Sequence, residues 1–240
     1  MDVFRSTAWY YAQFRPGYPP EQIDRLAAAA GLGPESRVLD VACGTGLIAI
    51  PLASRAGDVV AADAEPEMLA MLRIAAPGNV AAVEARGDDI DESWGTFDLV
   101  TIGRALHWLG GPEYLSRLAP LTRQVALLGD RIADSEAHSI VLDVAQEIAG
   151  ERPQAPAWRV RYDDALAASP FSDVVDLSVD TVRTWTQDDL VGWAFSTSFA
   201  SPQRLGDRRD EFERALRARL APSYEEQVRF VALLGRRRDE

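Results

Sequence analysis

The stretch Val38-Leu39-Asp40-Val41-Ala42-Cys43-Gly44-Thr45-Gly46-Leu47 decides how this chain folds. Val38, Leu39 and Val41 are the apolar run of a parallel strand covered on both faces. The strand ends on a carboxylate, Asp40, and turns through Gly44 and Gly46. Glycine there admits positive φ or a close backbone approach that a side chain would block. A helix expected over 47–55 then aims its amide-rich N-terminus at the crevice beyond the strand ends. An open α/β sheet binds a nucleoside-type ligand in such a crevice.

Two ligand classes compete for this turn. Gly44-Thr45-Gly46-Leu47-Ile48-Ala49 matches the dinucleotide pattern G-x-G-x-x-[GA], a weak signal by itself. A pyrophosphate beside Asp40 would be repelled. S-adenosylmethionine (SAM) carries a sulfonium and an ammonium but no phosphate, so an acid at the strand end stabilises it. The next strand, 58–62, also leads to an acid, Asp63, placed to accept two ribose hydroxyls from either cofactor. Asp63 thus supports a nucleoside site, and Asp40 selects SAM.

Asp40-Val41-Ala42-Cys43-Gly44-Thr45-Gly46 resembles the first motif of class I SAM-dependent methyltransferases in their small-molecule form. Phe14-Arg15-Pro16-Gly17-Tyr18-Pro19 resembles the N-terminal segment of the group that includes trans-aconitate methyltransferase-like proteins. Gly87-Asp88-Asp89 falls where that family contacts adenine, and Arg104-Ala105-Leu106-His107-Trp108 resembles its segment after the fourth strand. The resemblance covers residues 8–130 well and 170–235 in outline. It implies a Rossmann-like α/β fold: seven mostly parallel strands, helices on both faces and the last strand antiparallel. It also implies transfer of a methyl group from SAM to a small-molecule acceptor at oxygen, nitrogen or carboxylate, with S-adenosylhomocysteine as product. Two other readings stand beside it: a SAM-binding protein with a non-methylating or regulatory role, and an NAD-linked oxidoreductase.

The cofactor residues expected on this reading are Asp40, Ala42, Gly44, Gly46, Asp63, Ala64, Met68, Asp88, Asp89 and Arg104, with Arg15 and Tyr11. Asp40 is an acceptor for the SAM ammonium, or alternatively a cap on the turn or the next helix. The family resemblance gives Arg15 the SAM carboxylate and Asp88 or Asp89 the adenine amine. Met68, with Glu65 nearby, flanks the adenine or belongs to the core. The substrate pocket is expected to draw on Trp108, Tyr10, Trp193 and Phe199, and the general base, if one is used, is His107. His138 is a second base candidate. Cys43 is read as a packing residue.

Composition bounds the rest. The chain has 240 residues and a net charge of −12, which disfavours a nucleic-acid substrate. One cysteine excludes an intramolecular disulfide, and two histidines leave a structural zinc site little to work with. No apolar stretch is long enough to span a bilayer, and no leader pattern opens the chain, so a cytoplasmic protein is expected. We expect one domain over 1–240: a helical cap over 1–35, a SAM-binding core over 36–130, and a C-terminal half with a substrate-side insert near 185–225. Oligomeric state is not legible. A strand is expected over 174–184, and 226–234 reads equally as strand or helix.

Overall fold

The computed structural model describes residues 6–132, 135–150 and 161–238. The linker-like region expected around Pro153 and Pro156 lies outside them. The chain divides into two compact units. Among the described residues, the larger holds 17–131, 161–179 and 229–238, and the smaller 6–16, 132, 135–150 and 180–228.

In the larger unit, helix α2 (Pro20–Ala30) precedes strand β1 (Arg37–Val41). Proline at its first position suits α2 because that N–H has no helical partner, and Gly31 ends it at φ +69°. Its inner face, Ile23, Leu26, Ala27 and Ala30, follows helical spacing. Four further parallel strands follow: β2 (Asp58–Asp63), β3 (Val80–Glu84), β4 (Leu99–Gly103) and β5 (Gln124–Ile132). The strands lie in the order β3-β2-β1-β4-β5. Val38, Leu39, Leu99, Val100 and Ile102 are fully buried, as central parallel strands require.

Two strands complete this sheet. β6 (Asp173–Asp176) pairs antiparallel with the end of β8 (Ser223–Arg236), which lies between β5 and β6. The Arg237 N–H, just past β8, donates to the Arg123 carbonyl, just before β5, so β8 runs against β5. The last strand is thus the reversed one, as expected. Residues 226–234 are strand. Up to Phe230 the strand alternates buried and exposed, then stays buried where it lies between β5 and β6. The strand expected over 174–184 is present in two pieces, β6 and β7 (Val179–Thr186), which brings the count among the described residues to eight rather than the seven expected. The break falls at Ser178, whose N–H donates to Asp176 and whose Oγ takes the Ala232 N–H that a ladder carbonyl would otherwise accept.

The helix expected over 47–55 is shorter. Only Ala49–Leu52 is helical (α3), because Gly46 at φ +87° still belongs to the turn and residues beyond 52 close as tight turns. Helix α4 (Pro66–Ala75) follows β2 and α5 (Pro112–Arg117) precedes β5.

The smaller unit is mainly helical: α1 (Ala8–Phe14), α6 (Glu136–Ala149), α8 (Gln187–Phe195) and α10 (Arg209–Arg219), with β7 and the first part of β8. Helix α7 (Tyr162–Ala167) belongs to the larger unit and α9 (Pro202–Leu205) to the smaller. Val141, Val144, Trp185, Leu190, Phe195, Phe212 and Leu216 form its core. The cap expected over 1–35 is divided: α1 lies in the smaller unit and α2 in the larger. No described helix is long and apolar enough to cross a membrane.

Candidate active site

The glycine turn is fixed from below by Asp40, which is 1% exposed. Register places it beside Thr101 on β4, and Thr101 Oγ1 donates to its Oδ1 at 2.8 Å. The Ala49 N–H at the start of α3 donates to Oδ2 at 3.1 Å. Asp40 therefore caps the helix that follows the turn, one of the two roles expected for it. Burial pushes its carboxyl up to about 7; the two hydrogen bonds oppose that rise and the nearby Asp63 adds to it.

The turn itself alternates in handedness. Ala42, Gly44 and Gly46 all have positive φ, at +53°, +56° and +87°. Ala42 is the strained member, since its Cβ disfavours that region. The Cys43 N–H donates to the Ala62 carbonyl at the end of β2, tying turn to sheet. A Cβ on Gly46 would lie 2.3 Å from Leu72 Cδ1 of α4, so Gly46 is needed for packing as much as for conformation. Thr45 Oγ1 is buried and has no hydrogen-bond partner.

Asp63 closes β2 onto this turn. The Gly44 N–H donates to its Oδ2 at 2.7 Å and the Glu65 N–H to its Oδ1 at 2.9 Å. Burial raises its carboxyl above the ordinary range, against those backbone bonds. The Ala64 backbone contributes a further hydrogen bond, and with two lone pairs on each oxygen the carboxylate still has acceptor capacity beyond these bonds. Ala64 is exposed beside it, whereas Met68, on the buried face of α4, lies in the core.

Past β3, residues Gly87–Asp89 form one tight helical turn. Arg117 Nη1 donates to Asp88 at 2.6 Å, and Asp89 accepts the Arg86 N–H at 2.9 Å. The turn is held against α5 by Tyr114, whose hydroxyl donates to the Gly87 carbonyl at 3.2 Å. Past β4, Arg104 has φ +54°, donates through Nε to Asp130 on β5, and stacks its guanidinium 4.7 Å above Tyr18. His107 and Trp108 sit on the next tight turn, their rings 4.8 Å apart. His107 is half-buried, which lowers its pKa and keeps the imidazole neutral at pH 7; Trp108 is 48% exposed.

These residues share the carboxyl-terminal end of the parallel strands. The other candidates lie in the smaller unit. Arg15 donates to Ser196 Oγ at 2.9 Å and lies over the rings of Tyr11 and Trp193. Tyr10 accepts from Arg209 and packs on Phe195, and Phe199 packs near Trp193. His138, also in that unit, contacts Ser135 and Trp193.

Thr101, Asp130 and Tyr18 were not singled out from the sequence. Tyr18 lay within the quoted N-terminal segment, and Asp130 is one more acid near the end of a parallel strand, a pattern already used for Asp40 and Asp63. Thr101 carries no such signal, because register alone places it beside Asp40.

Residues 38–129 match a family model described as a methyltransferase domain. An uncharacterized methyltransferase of Mycobacterium tuberculosis is 38% identical over 126 residues, 52% of this chain and 50% of that protein. The chain therefore spans about half the length of the curated relatives it matches. Two solved structures share the fold. A SAM-dependent methyltransferase from Geobacter sulfurreducens in complex with S-adenosyl-L-homocysteine has a TM-score of 0.54 at 16% identity, covering 98% of each chain. Another, from Thiobacillus denitrificans and also in complex with S-adenosyl-L-homocysteine, has a TM-score of 0.53 at 14% identity, covering 98% of this chain and 100% of that one.

Proposed function

We propose, from the premise that residues 38–129 belong to the methyltransferase-domain family, that this chain binds SAM and transfers its methyl group to a small-molecule acceptor. The observation that carries the reading is the turn over 42–46. It combines a buried acid beneath it, alternating handedness along it and a buried Thr45 hydroxyl with no partner. An orphaned hydroxyl in a ligand loop fits a polar ligand that completes it.

The residues present suit this cofactor. Asp63, together with Asp40 in the ionised form that it reaches as pH rises past about 7, gives the turn negative charge, which favours a sulfonium and an ammonium and opposes a pyrophosphate. The remaining lone pairs of Asp63 suit a ribose diol. Ala42, Gly44, Gly46 and Ala64 supply backbone that approaches the ligand closely, and Asp88 or Asp89 supplies an acceptor for the adenine amine. Arg104 is the cation of the larger unit that suits the amino-acid carboxylate, although Asp130 already shares it. The resemblance also assigns Arg15 and Tyr11 to the cofactor, and we retain both as proposals. When bound, SAM supplies a methyl carbon activated by its sulfonium.

The chain's own part is to align the acceptor opposite the sulfur, so positioning supplies much of the rate. His107 is the residue of the larger unit proposed to take a proton from the acceptor. Its neutral imidazole at pH 7 leaves a nitrogen able to accept one. Trp108 borders that end of the sheet. Tyr10, Trp193 and Phe199 remain proposed for acceptor recognition. On this view the whole chain acts as one enzyme, with a donor-binding core over 36–130 and acceptor preference residing in the later segments. The buried single cysteine accords with a reducing, cytoplasmic setting.

Calorimetric titration with SAM, S-adenosylhomocysteine and NAD tests the cofactor. Saturable binding of the first two with none of NAD is expected, and the reverse would overturn the assignment. Transfer of labelled methyl to a panel of hydroxyl, amino and carboxylate metabolites tests the reaction. Tight SAM binding without transfer to any of them would favour a non-methylating role.

A further inference from the structure

Helix α5 holds the turn after β3 in a way that the proposed reaction leaves unexplained. A Cβ on Gly87 would come within 2.5 Å of Leu109 Cδ2 and 3.3 Å of Tyr114 Cε2, so the turn packs directly on the segment after β4. Tyr114, 3% exposed, donates its hydroxyl to the Gly87 carbonyl at 3.2 Å. Burial pushes that hydroxyl up to about 12, so it keeps its proton and stays a donor at neutral pH. Three residues on, the Arg117 guanidinium lies 5.8 Å from the centre of the Tyr114 ring. It donates through Nη1 to Asp88 Oδ1 at 2.6 Å and through Nη2 to the Asp88 carbonyl at 3.2 Å. One guanidinium thus grips both the side chain and the main chain of a single residue.

That grip adds little to stability. The Arg117 and Asp88 side chains are 48% and 76% exposed, and ion pairs so open to water contribute little to folding. Its effect is on direction. Asp88 opens the acidic run Asp88-Asp89-Ile90-Asp91-Glu92, whose like charges repel an unpaired carboxylate. Arg117 takes Oδ1 and leaves Oδ2 as an acceptor, on a residue whose carbonyl is held as well. Asp89 is used differently: its Oδ2 accepts the Arg86 N–H at 2.9 Å and closes the turn on itself. The two acids that this turn offers a nucleobase are therefore not equivalent. A held carboxylate accepts from the 6-amino group of adenine and repels the oxygen that hypoxanthine carries at the same position.

We propose that Arg117 is a positioning residue for the methyl donor: it sets Asp88, rather than Asp89, against the 6-amino group, and so makes the site prefer adenine to hypoxanthine. The inference rests on the SAM-binding reading and deepens it.

The test is calorimetric titration of the full chain with S-adenosylhomocysteine and S-inosylhomocysteine, which carry an amine and an oxo group respectively at that position. The parent should prefer the adenosyl form by on the order of tenfold or more. Arg117→Ala should weaken the adenosyl form about three- to tenfold and leave the inosyl form unchanged, so the preference shrinks. A merely structural role would weaken both alike. Arg117→Lys restores the charge without the two-pronged grip and should recover part of the preference. Asp88→Asn should erase it, since a carboxamide can also donate to the oxo group. In an Asp88→Ala background, Arg117→Ala should have no further effect. Unfolding curves check that each variant is folded, as exposed positions lead one to expect. A parent without preference, an unchanged preference in Arg117→Ala, or an equal loss of both ligands would overturn the proposal and leave SAM binding standing. So would a preference abolished by Asp89→Asn and kept by Asp88→Asn. Binding of neither ligand by the parent would overturn the SAM reading, and this proposal with it.

Discussion

Asp40 has a cost as well as a use. Raising its carboxyl from 3.8 to about 7 corresponds to roughly 4 kcal/mol of lost preference for the ionised form. Between those two values the folded chain keeps a proton that the unfolded chain has released. Stability from this group is therefore greatest at the acid end of that window, falls as pH rises through it, and levels off above about 7. Asp40→Asn keeps an acceptor for the Ala49 N–H and removes the titration. Urea unfolding of this variant should show a shallower decline across that window than the parent. Its SAM affinity should fall on the order of tenfold or more by calorimetry, since the buried anion is gone. A neighbouring position offers the opposite outcome. Ala42 is held at φ +53° by the turn. Ala42→Gly should raise stability by about 0.5–1 kcal/mol in denaturant unfolding, because relief of that strain outweighs the added freedom of the unfolded chain. An unchanged or lower midpoint would show that the turn relaxes around alanine.

Between elements, close approaches are where single atoms decide. Gly46 brings the turn to within 2.3 Å, at its missing Cβ, of Leu72 on α4. Gly46→Ala also meets φ +87°, so a loss of about 2–4 kcal/mol is expected. Adding Leu72→Ala should recover only the steric part in a double-mutant cycle. In the smaller unit, Gly192 on α8 plays the same role toward α1. A Cβ there would come within 2.2 Å of the Phe14 ring. Gly192→Ala should therefore loosen α1, and faster hydrogen exchange across Ala8–Phe14 would report it. Strand cores and some helix ends carry local signals, whereas the helix expected over 47–55 shrank to Ala49–Leu52 because the glycine turn reaches into it. Proline opens α2 and α4, Gly31 ends α2, and continuous apolar runs mark β1 and β4. The break between β6 and β7 was not legible, since it depends on Ser178 meeting a strand far along the chain.

At the scale of the whole chain, a cofactor that binds only the folded state stabilises it by mass action. SAM at a hundred times its dissociation constant should add about 2.7 kcal/mol, with slowed exchange at 40–46 and 63–65 of the larger unit. Thermal unfolding unmoved by saturating SAM would contradict the proposed site. Sequence alone determined the parallel-sheet class, the acid-ended strands and the glycine turn, because each is written in residues adjacent along the chain. It also showed where Asp40, Asp63, Arg104 and His107 fall relative to the strands that precede them. Tertiary structure alone decided that 226–234 is a strand, since an apolar run takes its form from what it lies against. It also decided that Thr101 holds Asp40, that Asp130 holds Arg104, and that Ser135, His138, Trp185 and Glu226 gather at one helix end. Those partners are brought together by register and packing between distant segments, which no spacing along the chain encodes.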